Sequence, residues 1–259
     1  LASMAAASTA IATSEPGYGR HPLDAARWDQ RVGERVPLEL TFTDSQGRRT
    51  TLARCVDDQP CILVLAYHRC PMLCTLVMQG LSDVLEEVKP DVGDAFDVIV
   101  VSIDPRETPD MARAARQTMI EKYGRTGTEP GWHFLTGGEA AVRRLADAVG
   151  YGYAYDEKTD QYAHPSGLVV VAPDGTVTQY LLGIHYSSRT IESALRDARQ
   201  GRVGVEAEPS LLRCFLYDPT RGPYGAAVMT ALRGGAVLTV GAFIAFVFVS
   251  ARKHRQATN

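Results

Sequence analysis

The chain has 259 residues, a formal net charge of −3, 45% hydrophobic residues and 22% charged residues, values that suit a folded globular protein. No stretch of the body is dense in lysine or arginine, which excludes nucleic acid as the expected partner. Five cysteines are too few for a disulfide scaffold of this length.

The start, Leu1 to Thr13, is small, apolar and uncharged, and Ala10-Ile11-Ala12 resembles a signal-peptide cleavage site. Residues 1–32 are read as an N-terminal segment, a signal-peptide remnant or a disordered start, ahead of a domain at 33–200. Pro37 to Thr43 and Arg49 to Leu52 flank Asp44-Ser45-Gln46-Gly47, a hairpin signal. Ile62 to Tyr67 is short, uniformly apolar and rich in β-formers, which predicts a buried strand. Cys70-Pro71-Met72-Leu73-Cys74 follows, and the spacing predicts a helix from there to about Val88. Pro71 suits the first turn, where a missing N–H costs nothing.

Two thiols four residues apart share one helix face, with Cβ atoms about 5–6 Å apart. That distance allows a disulfide after slight adjustment, or a grip by both sulfurs on one metal ion. The positive end of the helix dipole favours thiolate, the reactive form in either case.

Phe96 to Ile103 predicts a second buried strand. Thr108 then caps a helix with Pro109 in its first turn, running to about Tyr123. A short strand at Trp132 to Leu135 precedes a helix at Glu139 to Val149. Leu168 to Ala172 and Val177 to Leu182 form a hairpin across Pro173-Asp174-Gly175, and Ser188 to Gln200 is the last helix of the body. This order predicts an α/β, thioredoxin-like fold, a mixed sheet flanked by helices.

Residues 201–233 read as a connector interrupted by glycine and proline. Gly234 to Ala251 contains no charged residue. As a helix it would span about 27 Å, close to the ~30 Å of a hydrocarbon core. Arg252-Lys253-His254-Arg255 after it is strongly basic. The positive-inside tendency makes 234–251 a transmembrane helix and 252–259 a cytoplasmic tail. The expected location is a bacterial inner membrane, crossed once, with the domain in the periplasm. Thiols need a purpose in that compartment, because it oxidises them.

Other residues could carry chemistry. His164 lies in Tyr162-Ala163-His164-Pro165, and the proline holds it extended just before a strand, either facing solvent or serving as a ligand. Asp104 follows a buried strand, at the edge where α/β proteins build their sites, but also suits a plain turn before Pro105. His68 and Met72 flank the thiols and are lesser candidates for a soft metal. His21, His133 and His185 have no motif around them and read as structural or exposed. Cys55 and Cys61 could pair with each other, but Cys61 opens a buried strand and both read first as packing cysteines. Cys214 lies beyond the domain, as a reduced thiol, a lipidation site or a partner contact.

Taken together, these motifs resemble the Sco/SenC family of copper chaperones of cytochrome oxidase assembly. The resemblance covers roughly 33–200. It rests on Cys70–Cys74, on Val101-Ser102-Ile103-Asp104-Pro105 with Thr108-Pro109 after it, on Trp132-His133-Phe134-Leu135-Thr136-Gly137, and on His164 ahead of Val169 to Gly175. It implies a thioredoxin fold in which Cys70, Cys74 and His164 bind one copper ion, Cu(I) or Cu(II). It also implies delivery of copper to, or reduction of the cysteines of, the binuclear copper centre in oxidase subunit II. Asp104 would then support the ligands or contact the partner.

Two departures stand out. Familiar members are anchored at the N-terminus, whereas the apolar stretch here is C-terminal, and Pro165 follows His164 directly where a small polar residue is expected. The competing function is a thiol–disulfide oxidoreductase acting on periplasmic proteins. Such enzymes use two residues between their cysteines, against three here, and have no need of His164. A peroxidase fits less well, since it needs one reactive cysteine and not a close pair. A docking module that senses redox state is the third class.

Overall fold

The computed structural model describes residues 22–56, 58–70, 73–208 and 213–214, together with 234–236, 238–241 and 243. The predicted signal remnant, His21 and Met72 lie outside the described residues. A one-turn helix α1 (Pro22–Ala25) precedes the hairpin of β1 (Thr41–Asp44) and β2 (Arg49–Thr51). Asp44 closes that hairpin by accepting from the backbone N–H groups of Gln46 and Arg48, at 2.8 and 2.9 Å. β1 is shorter than the predicted 37–43, because Pro37 to Leu40 turns back on itself through a 3.2 Å bond from the Leu40 N–H to the Pro37 carbonyl.

A short α2 (Ala53–Val56) leads to the alternating centre of the fold: β3 (Cys61–Ala66), α3 (Leu73–Leu85), β4 (Asp97–Ser102), α4 (Pro109–Tyr123), β5 (Trp132–Thr136) and α5 (Glu139–Ala148). Thr108 caps α4 as predicted, its hydroxyl accepting from the Met111 N–H, with Pro109 in the first turn. β6 (Ala154–Asp156), β7 (Gln161–Pro165), β8 (Gly167–Val171) and β9 (Val177–Leu182) come next, then α6 (Ser188–Arg199) and a two-residue β10 (Arg213–Cys214).

Seven strands form one mixed sheet in the order β2-β1-β5-β4-β3-β8-β9. Its middle, β3, β4 and β5, is parallel, and β1 and β8 add to it antiparallel. Every residue of β3 and β4 is buried, as expected of parallel strands covered on both faces. β6, β7 and β10 form a separate three-stranded arrangement, β10-β7-β6. Helix α3 packs on α4, α4 on β5, and α6 on β8 and β9. Leu81 and Leu85 of α3 are fully buried, each contributing about 1.5–3 kcal/mol of apolar transfer. Gly80, just before Leu81, must lack a side chain, because a Cβ there would sit 2.0 Å from the Ile184 carbonyl oxygen.

This topology brings the carboxyl ends of β3 and β4 to one edge of the sheet, with His68 to Cys70 after one and Asp104 to Glu107 after the other. Residues Leu1–Phe215 make one compact unit and Leu216–Asn259 a second. In the second, the described positions between 234 and 243 are helical. Among the described residues no helix is long and apolar enough to cross a membrane, and most of the predicted span 234–251 lies outside them.

Candidate metal centre

The chain leaves β3 at Tyr67 and turns at once, the Cys70 N–H bonding to the Tyr67 carbonyl at 3.2 Å. Glu107 holds this turn from below. It accepts the backbone N–H of His68 and that of Arg69, both at 2.9 Å, and the Ser102 hydroxyl at 2.7 Å. On the far side the Thr75 hydroxyl donates to the Cys70 carbonyl at 3.1 Å. Cys70 stands before α3 rather than inside it, and Cys74 lies in the helix's first turn. Both cysteines are buried, at 5% and 4% exposure, and so is His164 at 1%.

His164 comes from β7, so it occupies a strand rather than the loop expected for it. The two sulfurs and a ring nitrogen of His164 all lie within 4.8 Å of one another. Cys74 Sγ is 2.9 Å from His164 Nε2. The other ring nitrogen, Nδ1, is 2.9 Å from the Pro165 carbonyl oxygen. A carbonyl can only accept, so Nδ1 carries the hydrogen, and in the neutral ring Nε2 presents its lone pair to the sulfurs. Pro165, the departure noted in the sequence, thus supplies the oxygen that orients the ligand.

Aromatic rings fix the imidazole on two sides. Tyr67 meets it edge-on with centroids 5.9 Å apart, and Tyr151 stacks on it at 6.0 Å. Behind Tyr151 stands Trp28, edge-on at 4.9 Å, whose indole N–H donates to the Ser166 carbonyl at 3.1 Å. The Tyr151 hydroxyl donates to the Leu65 carbonyl at 3.0 Å, which ties the stack to β3. Two thiols and one imidazole in a buried aromatic setting form a donor set suited to a soft or borderline metal ion. No other group of three His, Cys, Asp or Glu ligand atoms comes as close among the described residues.

Asp104 is not a member of this group. It is buried and clamped by guanidinium groups: Arg69 Nη2 donates to Oδ2 at 2.7 Å, and Arg106 donates from Nε to Oδ1 and from Nη2 to Oδ2, both at 2.9 Å. Burial raises its pKa, but the hydrogen bonds from Arg106 and Arg69 outweigh burial and hold it below the ordinary carboxylate range. Its connection to the cysteines runs through Arg69, the residue before Cys70. Arg69 and Arg106 are about half exposed, and Arg106 also pairs with the exposed Asp160 at 2.6 Å.

His68 packs against Phe134 with ring centroids 6.0 Å apart, and burial lowers its pKa with Glu107 opposing. It turns towards Glu107, 3.8 Å away, and not into the thiol pair. Cys55 and Cys61 are buried thiols without a disulfide, as expected of packing cysteines. His133 is more than structural filler, since its ring interacts with Cys55 and with Asp97, 3.9 Å away. Glu107, Tyr67, Tyr151 and Trp28 were not singled out by their sequence context.

Comparison with known proteins gives the family and the fold. The SCO1/SenC family model matches residues 29–199. A proposed electron transfer protein from Aquifex aeolicus VF5 is 25% identical, with a TM-score of 0.57, over 66% of this chain and 96% of that one. Arabidopsis thaliana ScoI with copper bound is 17% identical, with a TM-score of 0.51, over 66% and 99%. BsSco, a member of the Sco family of cytochrome c oxidase assembly proteins, is 19% identical, with a TM-score of 0.51, over 66% and 97%. These likenesses give the fold as the Sco thioredoxin-like one. No curated protein matches the chain.

Proposed function

Because the chain belongs to the SCO1/SenC family, we propose that it is a copper-binding protein of cytochrome c oxidase assembly, with Cys70, Cys74 and His164 as the ligands. The observation that carries the reading is the convergence of two sulfurs and an oriented imidazole within 4.8 Å. Copper is cargo here. Cu(I) suits the two thiolates, and the imidazole keeps the site acceptable to Cu(II). A site of three protein donors can pass its ion to another thiolate centre by ligand exchange, with incoming sulfurs replacing Cys70 and Cys74 one at a time. The recipient we propose is the binuclear copper centre of oxidase subunit II, whose cysteines the same two thiols could also reduce. Asp104 sets Arg69 beside the cysteines, and the half-exposed guanidinium group of Arg69 could meet an acidic group of the partner.

The membrane tether is part of the same proposal. It is supported by the uncharged stretch 234–251, its basic flank at 252–255, and the exposure of Leu238, Val240 and Phe243. The protein would sit in the bacterial inner membrane, with residues 252–259 cytoplasmic and the domain periplasmic.

The test is copper titration of the reduced chain against a Cu(I) chelator, with Cu(II) followed by absorption. One tightly held copper per chain is expected. Cys70→Ser or Cys74→Ser should abolish tight Cu(I) binding without unfolding the protein. His164→Ala should weaken Cu(II) more than Cu(I) and remove the thiolate charge-transfer band. Copper stoichiometry unchanged in the Cys70→Ser, Cys74→Ser double variant would sink the ligand assignment. Weak copper binding beside a readily reversible Cys70–Cys74 disulfide would favour the thiol–disulfide oxidoreductase. Deleting 233–259 should release the protein from membranes, and continued sedimentation with them would overturn the tether.

A further inference from the structure

A cavity outside the metal centre opens beside β5. β1 pairs with β5 only through Thr43 and Asp44, opposite Thr136 and Leu135. The chain turns back after Asp44, so Trp132, His133 and Phe134 lie beyond the pairing. The gap is a cavity of about 370 Å³, bounded by the hairpin turn, α2, β5 and Arg116 of α4. None of the three proposed copper ligands lines it.

Its walls are rich in positive charge. Arg48, Arg49, Arg54 and Arg116 line it, against the carboxylates of Asp44 and Glu129. Asp44 is already held by Arg48 at 2.9 Å. Among the described residues, Arg49, Arg54 and Arg116 enter no ion pair. Arg116 donates to main-chain carbonyls instead, from Nε to Trp132 at 2.8 Å and from Nη2 to Glu129. Those acceptors are neutral, and burial lowers the pKa of Arg116 by more than Glu129 and Asp44 restore. His133 also lines the cavity. Burial lowers its pKa, but Asp97 and Cys55 raise it to about 9, so the ring is cationic at neutral pH. Trp132, another lining residue, carries a buried indole N–H with no acceptor among the described residues.

Donors on β2, α2, α4 and β5 thus surround one cavity that is short of acceptors. A planar carboxylate offers two oxygens side by side and suits a single guanidinium fork. A tetrahedral oxyanion presents oxygens in several directions and matches guanidinium groups arriving from several sides. We propose that this cavity is a binding site for a tetrahedral oxyanion of the phosphate class. Arg49, Arg54, Arg116 and His133 supply the charge, and the anion relieves the repulsion among them. Free phosphate and the phosphodiester of a lipid headgroup share this chemistry. The site stands or falls independently of the copper reading.

The experiment is calorimetric titration of the full, metal-free chain with inorganic phosphate at fixed ionic strength. A Kd of about 1 mM or tighter is expected. Arg49 and Arg54 are exposed, so an Arg49→Gln, Arg54→Gln double variant should fold as the parent does, checked by circular dichroism, and bind roughly tenfold more weakly. A control double variant on α6, Arg189→Gln with Arg199→Gln, removes the same charge from exposed positions and should bind as the parent does. Glycerol phosphate and glycerophosphoglycerol, a monoester and a diester, are titrated beside phosphate. Diester binding as tight as that of phosphate upholds the site with a lipid headgroup as its source. Binding of phosphate and monoester without the diester upholds it with a free phosphate. Absence of phosphate binding in the parent, acetate held as tightly as phosphate, or equal losses in the two double variants would each overturn the proposal.

Discussion

At the scale of single residues, Glu107 does more for the centre than its place in the sequence suggests. Its carboxylate holds two backbone N–H groups and one hydroxyl, and the two N–H groups belong to the residues just before Cys70. Removing it leaves buried donors without an acceptor, at about 1–3 kcal/mol each. Glu107→Ala should destabilise the protein by about 2–4 kcal/mol in urea unfolding, and should loosen copper retention through the turn. Glu107→Gln keeps one accepting oxygen and should cost about half as much. A variant as stable as the parent would show that the turn stands without its clamp. Cys70 and Cys74 were legible as a close thiol pair after a buried strand, although the expected shared helix face was not, since Cys70 stands in the turn before α3 and only Cys74 lies in the helix. Glu107 was not, since Arg106-Glu107-Thr108-Pro109 looks like an exposed turn and only the parallel pairing of β3 with β4 brings it under His68.

Among the elements, the parallel centre of the sheet was readable in outline and the His164 region was not. β3 and β4 declare themselves as continuous apolar runs, and α4 by its cap and proline. β6, β7 and β10 have at most five residues each, and their pairing is invisible to local pattern. The segment around Trp28 is a similar case. It lies along residues 150–152, with the Asp29 N–H on the Gly150 carbonyl at 2.8 Å and the Gly152 N–H on the Arg27 carbonyl at 2.9 Å. Gly150, at φ +61°, admits no side chain, because a Cβ would fall 1.6 Å from the Asp29 carbonyl oxygen. Through Tyr151 this segment supports the imidazole, so Trp28 is a positioning residue. Trp28→Ala should cost about 3 kcal/mol in unfolding free energy. It should also weaken Cu(II) more than Cu(I) and shift the charge-transfer band, and Trp28→Phe should restore most of both. A stability loss with an unmoved Cu(II) spectrum would mean that the segment packs without orienting the ring.

For the molecule as a whole, stability should depend on pH through a group outside the Cys70, Cys74 and His164 cluster. Burial lowers the pKa of His133, but Asp97 and Cys55 raise it further, to about 9, from an ordinary value of 6.5. A raised histidine adds stability that is fully present below its unfolded pKa of about 6.5 and fades as pH climbs through the folded value. The Asp97 contact is long at 3.9 Å, so the loss between pH 6.5 and 9 should be about 1 kcal/mol. Urea midpoints across that range should fall for the parent and stay flatter for His133→Gln. Equal slopes would remove His133 from the account. If Cys70, Cys74 and His164 hold copper as proposed, the centre also links the fold to its cargo in time. Cys74 and His164 stand 90 residues apart, and only completed strand pairing brings them together. An unfolded chain offers the dithiol alone, so copper captured before folding would rest on two sulfurs, exposed to any competing thiol. On the proposed function, nitrogen ligation would arrive when β7 docks and closes the long loop, so that a loaded centre would certify folding. On that same proposal, a chain that misfolds in that half would hold copper through the dithiol alone and lose it to competing thiols.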